Sequence, residues 1–316
     1  MAYHTNEELV AETRELAARA GSRAALREVG RTVEGRTILG VRIAAPGLSP
    51  GDGRPQALIT ANIHGTEVVS SEVALRLLDL LTATELDDAA REVLALADVT
   101  LVPAINLDAR QLAADGLSKG RMRSRAPRAN RHNIDLNRNF PFPPRVRDVW
   151  HPLAGTKIPW MPWYRGPAPL SEPETQAMAT LAQELQPHAA VNLHSAGRLL
   201  VYPWACLPDA TPDAPAFQAM GTAFCSAQAG CPYKVENSRS WYTVLGDFDD
   251  WLYATFRTLA VTVELDRLLA GVGGNLLNLP FTLAWMNPRD PEATIEHTAE
   301  PCLRALAEGI RQRRRT

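Results

Sequence analysis

The alternation of apolar strand candidates with helix candidates predicts an α/β protein built on a largely parallel sheet. A chain of 316 residues is long enough to bury a large hydrophobic core. The sequence contains neither an internal repeat nor a linker between folded segments. We therefore expect a single domain that covers residues 1–316.

The N-terminal segment is predicted to form a helix followed by two strands. Thr5 and Glu8 match a capping box, in which the two side chains satisfy each other's backbone N–H groups, and the helix runs to about residue 20. The strand candidates cover 26–29 and 37–44, and the dipeptide Glu34-Gly35 supplies the turn between them.

A predicted strand–helix–strand unit follows a loop rich in Gly and Pro at 45–55. Residues 56–63 form an apolar strand candidate, and 68–81 form an amphipathic helix candidate. Residues 99–105 form the next apolar strand candidate. This succession is the main reason to expect parallel strands.

The stretch 106–169 is predicted to be long and irregular, with many prolines and a basic run at 119–131. A stretch of this length inside a compact domain is usually functional or disordered. Within it, residues 160–163 read Trp-Met-Pro-Trp. This aromatic segment either shapes the wall of a cleft or covers the core.

The second half of the chain continues the alternation of strands and helices. Ser171 and Glu174 match a second capping box, which opens a helix to about residue 185. The remaining strand candidates are 189–193, which leads directly into His194, then 199–202 and 259–265. The remaining helix candidates are 214–229, 249–254 and 292–313.

Composition and charge argue against several classes of function. The net charge of −2 disfavours a general nucleic-acid or membrane-surface binder. No apolar run approaches the roughly 20 residues that span a bilayer. The first residues lack the basic and apolar regions of a signal peptide, so we expect a cytoplasmic location.

The cysteines do not predict a disulfide framework in a chain of this length. None is in CxxC spacing, so a cysteine zinc site is not expected, and reduced thiols packed in the core are the default. One pair, Cys225 and Cys231, could bond if oxidised. The four cysteines are Cys206, Cys225, Cys231 and Cys302.

Three predicted strand ends carry polar side chains that a purely structural core would not need. They are His64 with Glu67, His194 with Ser195, and Glu264. Ligand sites in open α/β sheets lie at the carboxyl ends of the strands. A His-x-x-Glu pair with a remote His offers three ligands and leaves a position open for water, as in catalytic zinc sites. Each histidine alone would more often be structural.

Five segments, which include the three polar strand ends, resemble in order along the chain the zinc carboxypeptidases of the carboxypeptidase A/B (M14) family. The resembling segments are 30–36, 64–67, 135–141, 193–195 and 242–265. The resemblance covers about residues 5–311 and implies a central mixed, mostly parallel twisted sheet flanked by helices. It also implies one Zn²⁺ per chain and a peptide substrate with a free C-terminal carboxylate.

By this resemblance, His64, Glu67 and His194 are the metal ligands, and Glu264 is the catalytic base. Zinc lowers the pKa of a bound water to about 7, which supplies a nucleophile at neutral pH. Glu264 would take the proton of that water and pass it to the leaving amine. The structural alternative for Glu264 is a carboxylate paired with a nearby cation.

The resemblance also implies an arginine that stabilises the oxyanion beside the metal. Arg128 is the candidate for this catalytic role. The same basic run offers four competitors, for which a solvated loop is the ordinary interpretation. They are Arg121, Arg123, Arg125 and Arg131.

The segment that follows Arg128 is implied to bind substrate. Asn137 and Arg138 resemble the residues that hold the C-terminal carboxylate, a task that suits a planar, permanently charged guanidinium. Asp135 resembles the residue that orients a metal-bound histidine from behind. Tyr242, 22 residues before Glu264, has the spacing of the family's substrate-capping tyrosine, although its neighbour Trp241 could compete.

Asp249 falls on the position at the base of the family's specificity pocket. A carboxylate there implies a preference for Lys, Arg or another amine-bearing C-terminal residue, because an apolar side chain would leave it unpaired. The alternative is that Asp247, Asp249 or Asp250 caps the short helix that begins there.

Other functions remain open at this point. The segment His64-Gly65-Thr66-Glu67, with Gly after the first ligand, resembles the corresponding segment of murein-peptide (γ-D-Glu-diaminopimelate) amidases and also of N-acyl-amino-acid deacylases. A catalytically inactive peptide-binding protein on the same scaffold is the candidate from another class. Such a protein would typically have lost the base or a ligand, whereas Glu264 and all three ligands are present here.

Overall fold

A mixed eight-stranded sheet forms the centre of the structure, a computed structural model that describes residues 3–51, 53–146, 154–269, 276–278 and 280–315. In chain order its strands are β1 (Ala24–Arg31), β2 (Thr37–Ile43), β3 (Gln56–Ala61), β4 (Asp98–Val102), β5 (Ala189–Ser195), β6 (Leu199–Tyr202), β7 (Lys234–Asn237) and β8 (Leu259–Leu265). Their order across the sheet is β1-β2-β4-β3-β5-β8-β6-β7. The centre, β4-β3-β5-β8, is parallel, whereas β1, β2 and β6 add antiparallel pairings. The predicted α/β class with a mixed sheet is confirmed.

Helices cover both faces of this sheet. They are α1 (Asn6–Arg19), α2 (Val68–Thr82), α3 (Asp88–Leu96), α4 (Leu107–Ser118), α5 (Pro173–Leu185), α6 (Ala214–Ser226), α7 (Ser238–Trp241), α8 (Phe248–Phe256), α9 (Thr282–Met286) and α10 (Glu292–Arg315). Short 3-10 turns occupy Gly21–Arg23, Leu136–Arg138 and Leu276–Asn278. In the part of the chain that the structure describes, no helix has both the length and the apolar character needed to cross a membrane.

The central strands are buried on both faces, which explains their continuous apolar sequences. Because successive side chains of a strand point to opposite faces, neighbours in one strand enter different cores. Ile59 and Val191 pack in the core on the side of α2 and α10. Leu58 and Ala190 pack in the other core, with α5 and α8. The sheet is thus a rigid layer whose strand ends can fix a site.

Several elements and one cap differ from the sequence predictions. The helices α3, α4, α7 and α9 and the strand β7 were not predicted, and α4 replaces the first part of the stretch expected to be irregular. Its buried face includes the charged residues Asp108 and Arg110 beside three alanines, so the hydrophobic period is weak. The capping box at Thr5 and Glu8 is confirmed. The one predicted at Ser171 is wrong, because α5 begins at Pro173 after Glu172, whose side chain makes no cap bond. Residues 147–153 of the irregular stretch lie outside the described residues.

The cysteines correct one further expectation. Cys225 and Cys231 form a disulfide across the end of α6, with their Cα atoms 5.1 Å apart, so reduced thiols were the wrong prediction for this pair. Cys206 and Cys302 are free and buried, as core packing predicts. Because disulfides are rare in the cytosol, the cytoplasmic location stays a prediction to be tested by cell fractionation.

Candidate functional site

Polar residues from three neighbouring strands lie together at one edge of the sheet. β3 leads within three residues to His64, β5 carries His194 and β8 carries Glu264. His194 and Glu264 are directly paired in the parallel register of β5 and β8. Since parallel strands end at the same edge, the sheet brings together residues that are 200 positions apart in the sequence.

His64, Glu67 and His194 form a buried group of converging donor atoms. The Nδ1 atom of His64 lies 2.8 Å from Glu67 Oε1, and Nδ1 of His194 lies 3.2 Å from Glu67 Oε2. The side chains are only 1–5% exposed. Within the described residues, this is the one group of three or more such side chains whose donor atoms lie within 4.8 Å of one another. Two imidazoles and a carboxylate could hold a metal ion.

The electrostatics of this group follow from the close contact of opposite charges. Burial alone would raise the pKa of Glu67, but the adjacent imidazoles of His64 and His194 hold it below its ordinary value. The backbone N–H of Ser195 also donates to Glu67 Oε2, at 3.2 Å. Glu67 is therefore an ionised carboxylate in a buried site, and a carboxylate has to be ionised to bind a metal.

An asparagine with a left-handed backbone shapes the turn between β3 and α2. Asn62 has φ 53°, a conformation that Asn tolerates better than most residues. Its side-chain amide donates to the carbonyls of His64 (3.0 Å) and Glu67 (3.1 Å). The backbone N–H of Asn62 donates to Ser70 Oγ at 3.0 Å. These bonds fix both ends of the His-x-x-Glu segment.

Gly65 is required by a close approach rather than by a special φ. A Cβ atom at this position would lie 2.3 Å from the Cβ of Ala109 in α4 and 2.7 Å from the carbonyl oxygen of Pro127. The backbone N–H of Gly65 donates to the carbonyl of Arg128 at 3.0 Å. The absence of a side chain thus lets α4 and the segment containing Arg128 press against the metal-ligand turn.

Asp135 lies behind His64 and joins it to Arg128. Its Oδ1 lies 3.1 Å from His64 Nε2, and its Oδ2 accepts a bond from Arg128 Nε at 3.0 Å. Against the effect of burial, Arg128, Arg138 and His64 hold the pKa of Asp135 well below its usual range. A metal bound at Nδ1 of His64 would leave the Nε2–H group to donate to this carboxylate.

Arg128 is the arginine of the basic run that reaches the site. Its Nη1 lies 3.1 Å from Glu67 Oε1, and its side chain is 30% exposed to the cleft. Burial would lower its pKa, but Asp135 and Glu67 raise it, so the guanidinium remains charged. Two of the competitors make other contacts, since Arg125 donates to the carbonyl of Pro280 and Arg131 pairs with Glu34, and none of the four lines the cavity.

These groups line one cavity of about 190 Å³, and it contains most of the residues predicted for substrate binding. Besides the metal-ligand group and Arg128, the predicted residues on its wall are Asn137, Arg138, Tyr242 and Glu264. Residues on its wall that sequence reasoning did not assign include Trp163, Ser195, Asp247, Thr262 and Met286. The cavity is thus wide enough for a substrate residue beside the converging ligands.

Glu264 faces this cavity from the end of β8. Burial raises its pKa to about 7, with a further increase from Glu67, whereas His194 and Arg128 oppose the shift. A carboxyl group whose pKa lies near neutrality can both accept and return a proton at that pH. The perturbed pKa at a cleft is the feature expected of a functional carboxylate.

Arg138 and Tyr242 lie next to each other on the wall of the cavity. The guanidinium carbon of Arg138 lies 5.9 Å from the centre of the Tyr242 ring, a cation–π distance. Trp241 packs edge-on against Tyr242, with ring centres 4.8 Å apart, and also lines the cavity. Both candidates for the substrate-capping role therefore lie on the cavity wall. Gly246 admits this arrangement, because its φ is 78° and a Cβ there would lie 2.2 Å from the carbonyl oxygen of Arg138.

The aspartates at the start of α8 have different environments. Asp247 caps α8 by accepting from the N–H of Asp250, accepts from Asn137 Nδ2 at 2.8 Å and lines the cavity. Asp249 is buried beneath the cavity wall, where it accepts bonds from Asn192 and from Thr262 Oγ1. Burial and the charge of Asp247 raise the pKa of Asp249 well above its usual range. Of these aspartates, Asp247 is the one that lines the cavity, two residues before Asp249, which the family resemblance favoured.

Comparisons with known proteins agree on the family. The sequence profile of the family described as "Zinc carboxypeptidase" matches residues 9–270. Rat carboxypeptidase D is 26% identical over 267 residues, which cover 76% of this chain and 17% of that protein. Human carboxypeptidase Z is 25% identical over 304 residues, which cover 83% of this chain and 44% of that protein. The chain thus spans well under two-thirds of the length of these relatives.

Solved structures show the same fold. A crystal structure of thrombin-activatable fibrinolysis inhibitor matches with a TM-score of 0.77 and 18% identity, covering 99% of this chain and 78% of that chain. Carboxypeptidase A from Helicoverpa armigera matches with a TM-score of 0.74 and 19% identity, covering 98% and 73% of the two chains. At these identities the likeness concerns the fold.

Proposed function

Because the chain belongs to the zinc carboxypeptidase family, we propose that it is a zinc-dependent hydrolase that removes the C-terminal residue of a peptide. The observation that carries the proposal is the presence, in one cavity, of the His64–Glu67–His194 group together with Glu264 and Arg138. This combination offers a metal-binding site, a base and a cation for the substrate's C-terminal carboxylate, all within reach of one substrate residue.

The donor set fits zinc and not a purely structural metal site. His64, Glu67 and His194 supply two nitrogens and one carboxylate, which leaves a fourth position open in tetrahedral coordination. When bound, zinc supplies Lewis-acid polarisation of the scissile carbonyl and a lowered pKa for a water molecule. Asp135 holds the imidazole of His64 so that its Nδ1 lone pair points into the site.

The remaining chemistry is assigned to side chains of the cavity wall. The carboxylate of Glu264 takes a proton from the attacking water and delivers it to the leaving amine. Arg128, held between Glu67 and Asp135, places a fixed positive charge where the carbonyl oxygen becomes negative. Arg138 and Asn137 bind the C-terminal carboxylate, and Tyr242 covers the bound residue from the Arg138 side.

We propose that Asp247 recognises a basic or amine-bearing C-terminal side chain. Its carboxylate lines the cavity, whereas Asp249 is buried and lies behind Thr262. A carboxylate on the wall can make a charge-assisted hydrogen bond with Lys or Arg, which Leu or Phe cannot make. The preference inferred from the sequence is retained, but we move the residue responsible from Asp249 to Asp247.

A pair of variants separates the two aspartates. Asn is as good an N-cap as Asp, so Asp247→Asn keeps the start of α8. We expect it to reduce the Lys-over-Leu ratio of kcat/KM at least about tenfold, the value of a lost charge-assisted bond. Asp249→Asn should leave the ratio within about threefold of wild type. The reverse result would return the role to Asp249.

The proposed function is tested by zinc content and hydrolysis together. One zinc per chain and release of C-terminal Lys or Arg from short peptides are expected of the wild type. Glu264→Gln should retain zinc and lose activity by orders of magnitude, whereas the surface variant Glu184→Gln should match the wild type. Full zinc occupancy without cleavage of any C-terminal residue would reject a carboxypeptidase.

A second candidate is an amidase acting on γ-D-Glu–diaminopimelate peptides. The observation in its favour is the same pair of charges, because diaminopimelate presents a distal amine to Asp247 and an α-carboxylate to Arg138. A parallel screen with that peptide, with Lys-terminated peptides and with N-acyl amino acids distinguishes amidase, carboxypeptidase and deacylase. The substrate with the highest kcat/KM decides between them.

A further inference from the structure

Resting on the proposed function, we infer that a groove beside Arg128 is a subsite for a large apolar or aromatic side chain on the acyl side of the scissile bond. The aromatic groove is formed by Pro127, Arg128, Trp160, Met161, Pro162 and Trp163. Its occupant is a residue of the peptide that precedes the C-terminal residue. The aromatic groove would therefore select which peptides are cleaved.

The exposure of Trp160 shows that this segment does not cover the core. The side chain is 81% exposed, more than any other large hydrophobic residue among those described. Trp160 lines one groove together with Met161, Pro162 and Trp163, and a contiguous apolar patch on a surface is typical of a binding site. Of the two interpretations left open by the sequence, a cleft wall is the one that agrees with this exposure.

The aromatic groove is continuous with the catalytic cavity. Trp163 and Arg128 line both spaces, so a chain that leaves the cavity past Arg128 enters the groove. In the proposed function the C-terminal carboxylate pairs with Arg138, which lines the cavity but not the groove. Only the acyl part of a substrate extends further, and the groove of about 300 Å³ is large enough for an aromatic side chain.

The segment that carries the two tryptophans is held rigidly against the metal-ligand shell. Trp163 has φ 61°, an uncommon conformation for a bulky residue, and its carbonyl accepts from the N–H of Thr156 at 3.0 Å. The next residue, Tyr164, accepts from the N–H of Asp135 at 2.8 Å. Asn133 Nδ2 donates to the carbonyl of Pro159, also at 2.8 Å. Backbone strain of this kind is typical of ligand contacts.

The lining sets the chemistry of the occupant. Two indole rings, a thioether and two prolines offer apolar contact and ring stacking. The charged groups at its edge are Arg128 and Asp135, and these pair with each other. An uncharged side chain such as Phe fits this wall better than an acidic or a basic one.

The test compares two peptides that differ only at the second residue before the scissile bond. N-acetyl-Phe-Ala-Lys and N-acetyl-Gly-Ala-Lys are assayed with the zinc-loaded enzyme, and the readout is the ratio of their kcat/KM values. We expect the wild type to favour the Phe peptide roughly tenfold, as expected for burial of one aromatic ring. Trp160→Ala and Trp163→Gly should bring the ratio close to one.

Two further variants serve as controls. Trp160→Phe, which keeps a ring, should restore most of the ratio, and Leu112→Ala removes an exposed apolar side chain from α4 and should leave it at the wild-type value. Trp163→Gly suits the positive φ, so the backbone is expected to keep its path. A wild-type ratio near one, or an unchanged ratio in both tryptophan variants, would overturn the inference.

A binding measurement separates this inference from the proposed function. Affinities of the same two peptides are measured by calorimetry on Glu264→Gln, which needs no turnover. If the wild type hydrolyses neither peptide but Glu264→Gln binds the Phe peptide more tightly through Trp160, the proposed function fails and the subsite stands. If Gly-Ala-Lys is cleaved and the two peptides bind equally, the function stands and the subsite is refuted.

Discussion

Replacing Gly65 by alanine tests whether close packing, rather than chemistry alone, positions the metal ligands. Gly65 lies between His64 and the remainder of the ligand turn. The added methyl group would lie 2.3 Å from the Cβ of Ala109 and 2.7 Å from the carbonyl oxygen of Pro127. Neither atom belongs to a flexible side chain, because Ala109 is in α4 and the second atom is backbone.

The size of the effect follows from these distances. Carbon atoms in contact prefer a separation of about 3.5–4.0 Å, so α4 and the turn must move apart by more than about 1 Å. Overpacking that displaces backbone costs about 3 kcal/mol at the upper end of its usual range. A displacement of about 1 Å at a catalytic group can reduce the rate about a hundredfold. Both losses are expected in Gly65→Ala.

The assay combines urea unfolding, zinc content and kcat/KM on a Lys-terminated peptide. Gly116→Ala is the matched control, because Gly116 lies in α4, the helix that contains Ala109. Its Cβ would lie 3.2 Å from side-chain atoms of Leu283 and Ser124, and the nearest backbone atom, the carbonyl oxygen of Arg121, is 3.9 Å away. The gain in helix propensity, about 1 kcal/mol, offsets that contact. Wild-type stability and activity in Gly65→Ala would refute the packing argument.

Three other outcomes are expected. Asp135→Asn should weaken zinc binding about tenfold to a hundredfold, because the carboxylate that fixes the His64 tautomer is lost. The zinc affinity is measured by competition with a chelator, and an unchanged affinity would contradict this expectation. Removing zinc should lower Tm, and adding it back at a hundred times its Kd should restore about 2.7 kcal/mol of stability; a Tm independent of zinc would exclude a site in the folded state. The base Glu264 works deprotonated, so kcat/KM should fall as pH drops through its pKa. Burial raises that pKa from 4.5 to about 7, and a bound cation draws it back, so the acidic midpoint should lie between those values. A midpoint below 4.5 would show that burial does not control this carboxyl group.

The positions of the candidate metal ligands could be predicted because local sequence and sheet topology are closely linked. Apolar strands that end in His or Glu place those side chains at the carboxyl edge of any parallel sheet. His64, Glu67, His194 and Glu264 were therefore expected together, and they lie together. The roles of these residues stay predictions until activity is measured.

The aspartate run before Trp251 shows where sequence reasoning stops. Asp247, Asp249 and Asp250 are equivalent as letters, and a shift of one helical position changes which of them faces the cavity. The residue at which α8 begins and the hydrogen bond from Asn137 determine that Asp247 faces the cavity. Asn137 lies 110 residues before Asp247 in the chain. Such a contact is absent from the local sequence.

The sequence by itself determined the α/β class, the strand ends and the set of candidate ligands, because periodicity and residue chemistry are local properties. Only the tertiary structure decided which arginine reaches Glu67, which aspartate lines the cavity and why Gly65 has no side chain. It also decided that Trp160 is exposed beside the cleft and that Cys225 meets Cys231. Each of these features depends on a distance in space that the local sequence does not contain. Packing around the sheet sets that distance.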